Sequence, residues 1–415
     1  MMLRRALFRA LAKSDINMLR ALRARGVSLA YEPEDSQPAF NAALCADFVD
    51  IAVLDWLEHE GVDPAMRDRD QWAGALHIAA GRRDPAVLAW LMGRGLDLNA
   101  QSKTGETALM LCARAPEDAP VDWSDWGLRD ARELIASGAD VNLADETGQT
   151  ALHSACETGH TDLVALLIMG GADVKRADAD GTTPLHLAAA KGADACVRAL
   201  LDAGAEADAQ TGDGLTALHG LAGKPVTETT PAHLRTAGLL VASGADCGRI
   251  DARGLTPLVT AALAGNVPMA ALLIAGGAMN VSHRADALRH AVTFEDADMT
   301  GLLLKAGAEA DTVFDEDEGL RPLHIAAQEG FVAGLRLLLE AGAEIDAVNG
   351  DGETALLIAV RQQKFAAVEW LLQHGAYAGH ADRYGNTAVN LAQRRSQAAI
   401  LRLLDGSIPM VRQPS

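Results

Sequence analysis

The chain has 415 residues, 49% of them hydrophobic but only 4% aromatic, so its apolar content is mostly Ala and Leu. That suits closely packed helices better than strands, and the length exceeds one ordinary globular core. A net charge of -20 repels phosphate backbones and anionic lipid, which excludes general nucleic-acid and membrane-surface binding.

Residues 1–25 run against that charge: seven basic residues face Asp15 alone, a net +6 that leaves -26 for the remainder. Leu7, Leu11, Ile16, Leu19 and Leu22 recur at helical spacing, so this start reads as an amphipathic helix pair rather than a targeting segment. Residues 1–35 are therefore expected to cap the rest of the chain. No uninterrupted apolar run reaches the roughly 18 residues of a membrane span, and a soluble, cytoplasmic protein is expected. Cys45, Cys112, Cys156, Cys196 and Cys247 are odd in number and widely separated. They form neither a disulfide framework nor a zinc pattern, and reduced, buried thiols are the default.

Over residues 36–382 one phrase recurs: G-x-T-[PA]-L-H-x-A, about a dozen residues, then L-L-x-x-G-A-[DE]. Its clearest copies span 148–173 and 181–206, and others begin at Gly214, Gly254, Gly319 and Gly352. The closing glycines Gly138, Gly171 and Gly204 are 33 apart, as are Gly244 and Gly277, and Gly342 and Gly375. Thr150, Thr183, Thr216 and Thr256 stand where a hydroxyl caps a helix, with Pro184 and Pro257 at the first helical position. Pairs such as Leu166 and Leu167 give a second helix its buried stripe, and the glycine after it ends that helix in the left-handed conformation. One such pair cannot hide its apolar face alone; stacked neighbours can.

The period breaks three times. Gly95 to Gly138 spans 43, with the surplus in an insertion at 115–127 that carries Trp123 and Trp126 among carboxylates. Those rings are either anchors for a partner or covers folded back over helix ends. Gly204 to Gly244 spans 40, with a second insertion at 223–231. Gly277 to Gly307 spans only 30, and the unit at 284–314 lacks the G-x-T start, so its hairpin is expected to be truncated. Trp56, Trp90 and Trp370 precede closing glycines on second helices and read as structural. Residues 383–415 form a closing cap and tail.

Patterns that could carry chemistry do not assemble. His77, His153, His186, His219 and His324 share one register, so a catalytic or metal role would have to repeat five times. Cys156 follows His153 by three residues without an orienting third group. Asp178 and Asp180 lack the remaining calcium-loop ligands, and Lys224 lacks the phosphate-loop spacing. No catalytic residue, metal or cofactor is expected.

The Thr-Pro-Leu-His tetrapeptide at Thr183 to His186, its Thr-Ala-Leu-His variants at Thr150 and Thr216, and the Gly-Ala-Asp endings resemble the ankyrin-repeat family across nearly the entire chain. The resemblance implies an all-α solenoid of about twelve stacked helix-pair units with short hairpin connections. It implies histidines that bond to backbone near the adjoining turn, and a non-catalytic protein-interaction scaffold. Members of the family bind on a concave face made of hairpin tips and the exposed side of first helices. By register that face would hold Lys103, Glu106, Glu146, Glu157 and Asp180; then Leu215, Arg253 and Leu255; then Asp317, Glu318, Leu320, Gln328, Glu329, Arg361 and Tyr384. Carboxylates prevail, with leucines and Tyr384 for apolar contact, so the expected ligand of a monomeric chain is a protein with a basic, partly apolar surface. The alternative is a bacterial effector or immunity-type protein that neutralises or redirects a foreign protein.

Overall fold

The computed structural model describes residues 2–30, 38–66, 74–82, 84–114, 127–278, 281–314 and 318–407. Among them are 24 α-helices, no β-strand, and two isolated antiparallel bridges, Val348 with Thr354 and Ala381 with Thr387. None of these helices is long and apolar enough to cross a membrane. The chain divides into two compact units, 1–212 and 213–415.

In the first unit, helices alternate between two layers. First helices pack on first helices, Ala75–Arg82 on Ala108–Ala113, then Ala151–Thr158, then Pro184–Lys191. Second helices do the same from Pro85–Met92 through Leu128–Ala136 and Thr161–Met169 to Asp194–Asp202. The sequence phrase explains why. Leu152, Ala155 and Cys156 on one helix and Leu163, Val164 and Leu167 on its partner are fully buried. The small Ala188 and Ala189, also fully buried, let neighbouring first helices approach closely. Each fully buried Leu contributes about 2 kcal/mol relative to exposure. Second helices end as the pattern requires, with Gly171 at φ 89° and Gly204 at φ 93°.

The second unit follows the same two-layer rule from Ala217–Ala222 onward, with one departure. The helix Val281–Thr293 has 13 residues and starts six positions before Ala287, the residue in register with Pro257. Residues 281–286 are thus helical where neighbouring repeats form a hairpin. Arg284, 8% exposed, donates from Nη1 to the Ala306 carbonyl and so caps the C-terminus of the following helix, Ala297–Lys305.

Three other expectations resolve locally. Cys112, Cys156, Cys196 and Cys247 are buried, but Cys45, just beyond the helix Ala39–Leu44, is exposed, which corrects the buried-thiol default there. Trp90 lies under the Arg94 guanidinium, 3.1 Å from its ring centre, and donates from Nε1 to Asp55 at 2.8 Å. Trp370 stacks on His374 with centroids 3.8 Å apart. Both rings serve the second-helix layer.

Candidate functional site

The exposed chemistry of this chain begins at its hairpins, five of which are organised by one acidic or amide side chain. Asp145 Oδ1 accepts the N–H groups of Thr147 and Gln149, both at 2.9 Å. Asp178 does the same for Asp180 and Thr182, Asp251 for Arg253 and Leu255, and Asp382 for Tyr384 and Asn386. Asn349 takes that place at Asp351 and Glu353. Burial alone would raise the Asp251 carboxyl, but bonds from Leu255 and Arg253 outweigh it and hold the group below its usual range. Asp382 is held down likewise by Asn386 and Tyr384.

Hairpins then join edge to edge through one backbone bond each. Ala179 N–H donates to the Thr147 carbonyl at 2.8 Å, and Gly212 N–H to Asp180 at 2.7 Å. Gly350 N–H donates to Glu318 at 2.7 Å, and Arg383 N–H to Asp351 at 3.0 Å. The glycines permit this approach. A Cβ on Gly181, already at φ +80°, would lie 2.7 Å from the Gly212 nitrogen. Gly254, at φ +78°, faces nothing within 4 Å, because the next repeat is helical at that level.

The histidine register clamps helix to hairpin. His153 Nδ1 accepts the Thr150 N–H at 3.1 Å, and its Nε2 donates to the Thr182 carbonyl of the next repeat at 3.2 Å. His219 repeats both bonds with Thr216 and Leu255, and His324 with Arg321 and Ala347. His77 bonds Gly74 and Glu106 in the same way. Each threonine hydroxyl at 150, 183 and 216 rests on the imidazole Nδ1, at 2.8 to 2.9 Å, within the capping box that it forms with the histidine at the third helical position. The hydroxyl accepts the third helical N–H at Thr230, Thr256 and Thr354. Burial lowers the proton affinity of His153, His219 and His324. With both nitrogens of His153 engaged and burial pushing the Cys156 thiol well up, that pair is a poor nucleophile and base.

In the first unit an open groove of about 410 Å³ lies between two hairpins and two first helices. Glu106, Asp145, Glu146 and Glu157 line it, along with Gln149 and Arg114. Arg114, the only basic lining residue among those described, pairs with Glu106 at 2.8 Å. Three residues predicted from register, Glu106, Glu146 and Glu157, are therefore brought together. Arg114 was missed, since its direction depends on packing that periodicity does not encode.

The other predicted residues are placed individually. Lys103, Asp180, Glu318 and Tyr384 are exposed on hairpins, and Arg383 covers Tyr384, 4.9 Å from its ring centre. Leu215, Leu255 and Leu320 are half-buried. Arg253 is held by Asp251 at 3.1 Å and Arg361 by Glu353 at 3.0 Å. Gln328 donates to Glu329 at 3.0 Å. Asp317, Trp123 and Trp126 lie outside the described residues. Among the described residues no group of three or more His, Cys, Asp or Glu side chains is arranged to hold a metal ion.

Comparison with known proteins agrees with this geometry. The family described as ankyrin repeats matches in three copies, at 127–211, 231–314 and 323–411, together more than half of the chain. A 160-residue stretch is 31% identical to an L-asparaginase of Dirofilaria immitis, over 38% of this chain and 25% of that protein. Another is 33% identical to a putative palmitoyltransferase ZDHHC13 of Danio rerio, over 31% of this chain and 20% of that one. A 71-residue stretch is 41% identical to ankyrin repeat domain-containing protein 63 of Homo sapiens, over 17% of each. The chain spans a quarter or less of the length of these relatives, and the matches are partial ones within repeats.

Proposed function

The chain belongs to the ankyrin-repeat family, whose repeats are generally protein-interaction modules, and from that premise we propose that it is a non-catalytic scaffold binding a basic protein. The observation that carries this reading is the groove lined by Glu106, Asp145, Glu146 and Glu157, where Arg114 is the single opposing charge among described residues. Asp145 is fixed by the Thr147 and Gln149 N–H groups, which sets the hairpin that carries Glu146, and Glu157 stands on the helix Ala151–Thr158, so the backbone that presents these carboxylates to a Lys or Arg is already ordered. Glu146 and Glu157 are exposed, whereas Glu106 is already engaged by Arg114 and Thr104. The first two are therefore the principal electrostatic contacts. Exposed Tyr384 and the half-buried leucines of the hairpins supply apolar contact in the second unit. In this reading the chain works as a monomer in the cytoplasm and needs no cofactor.

The test is affinity capture from the source organism's lysate with the wild-type chain and a Glu146→Lys, Glu157→Lys variant. A basic protein retained by the first, lost by the second, and released as salt rises from about 50 mM to about 500 mM is the expected result. Equal retention by both proteins at both salt levels overturns the electrostatic reading.

A further inference from the structure

The first two helices carry charge differently from the repeats behind them. Met2–Ala12 and Ile16–Ala24 contain no carboxylate, and Asp15 between them is taken up as a helix cap, accepting the Met18 N–H at 3.0 Å. Two of the seven cations in residues 1–25 hold the fold. Arg4 donates to the Ser28 and Ala30 carbonyls, and Arg23 pairs with Glu60 at 2.8 Å. The others, Arg5, Arg9, Lys13, Arg20 and Arg25, are exposed and meet no carboxylate among the described residues.

Folding alone does not call for this arrangement. Arg5 stands in the first turn of its helix, where the backbone dipole favours carboxylates, and Arg9 repels it from one turn on. A terminal cap needs only a polar outer side. The last helix of the chain, Ala398–Ser407, carries Arg402 and Asp405, one charge of each sign. Apolar side chains are also misplaced. In later second helices the third residue beyond the cap is buried, as at Val53, Val87, Leu163, Met269 and Met299, whereas Met18 in that position is 48% exposed. Met2 and Leu3 are 90% and 48% exposed. Unpaired cations beside uncovered apolar residues, set against the preferences of the helix that bears them, mark a surface where a local rule yields to function.

We propose that this two-helix cap docks on the surface of an anionic phospholipid bilayer, its arginine and lysine heads among the lipid phosphates and Met2, Leu3 and Met18 entering the edge of the acyl layer. The chain's net charge of -20 does not oppose this at close range. A helix is about 10 Å across and the Debye length at physiological salt is about 8 Å, so carboxylates behind the cap are screened from a surface that meets its outer side. Each exposed cation strengthens binding to an anionic leaflet about five-fold, and apolar side chains add to it with the area they bury. The apolar residues also choose between polyanions. A nucleic acid offers phosphates but no acyl layer for two methionines and a leucine to enter, and a bilayer offers both. The cap contains none of the residues that line the groove of the first unit, so a chain held this way keeps that groove free for a protein.

The probe is a vesicle of phosphatidylcholine with about 30% phosphatidylserine, compared with a vesicle of phosphatidylcholine alone, and binding of the full chain is read by flotation. The anionic vesicles are expected to bind roughly ten-fold or more tightly than the neutral ones, and less so as salt rises. Arg5→Gln, Arg9→Gln and Arg20→Gln together should weaken that binding about a hundred-fold. These side chains are exposed and bear no ion pair among the described residues, so circular dichroism should show the fold intact. Met2→Ser with Met18→Ser leaves every charge in place and should weaken binding roughly ten-fold. Equal binding to the two vesicle types, or no loss in the arginine variant, overturns the proposal. So does full vesicle binding by the methionine variant, which would mark a general polyanion site that a DNA duplex fills as well.

Discussion

The imidazole of His153 accepts at Nδ1 and donates at Nε2, which leaves no lone pair for a second proton without breaking the cap at Thr150. Burial lowers the folded-state proton affinity of His153, His219 and His324 below the ordinary value near 6.5. Bonds to the Thr182 and Leu255 carbonyls and the carboxylates Asp178 and Asp145 at His153 and Asp251 at His219 oppose that effect, whereas Arg176 and Arg253 add to it. At His324 the facing charges are Arg321 and Asp311. Because the unfolded chain takes up protons first, this stability is complete above about pH 6.5 and is lost as pH falls toward the folded values. The thermal midpoint should accordingly drop between about pH 7.5 and about pH 5.5. His153→Asn should shallow that drop while destabilising by about 1 kcal/mol at neutral pH. Asparagine can keep the acceptor role, as Asn390 does for the Thr387 N–H at 2.8 Å, and loses only the donor to Thr182. An unchanged pH slope in the variant would exclude His153 as a contributor.

At the scale of the element, two glycines separate intrinsic backbone strain from hairpin contact. Gly181 and Gly254 have nearly the same positive φ, +80° and +78°, so alanine at either meets a similar conformational cost of about 1 to 2 kcal/mol. Only at Gly181 does the added Cβ collide with the next hairpin. Gly181→Ala should therefore destabilise by about 1 kcal/mol or more beyond Gly254→Ala and accelerate hydrogen exchange at the Gly212 amide. Equal effects would mean that hairpin contact adds nothing to the strain. These elements were readable in the sequence because Gly, Thr and His recur at fixed spacing, each for a bond now identified. The missing G-x-T start announced an irregular unit at 284–314, but a helix there in place of a hairpin was not read. Residues 281–293 contain neither Gly nor Pro, so the helix runs on, a propensity signal that repeat matching passes over. The grouping of Glu106, Glu146 and Glu157 followed from register. The Arg114 pairing did not.

For the molecule as a whole, stability in a stack is carried by contacts between adjacent repeats, so damage should spread by neighbours rather than everywhere. Leu167 is fully buried on Thr161–Met169, which packs against Leu128–Ala136 on one side and Asp194–Asp202 on the other. Leu167→Ala removes that side chain from a dry interface and should cost about 2 to 5 kcal/mol. Hydrogen exchange read by mass spectrometry should quicken in those three helices. It should change little in Pro85–Met92, which meets Leu128–Ala136 but is a further step away. Such a gradient within residues 1–212 would make local opening, not global unfolding, the event that governs how the Glu146 and Glu157 groove is presented. A uniform loss of protection across the unit would instead show it opening as one cooperative block. The groove residues would then be only as available as the whole unit is folded.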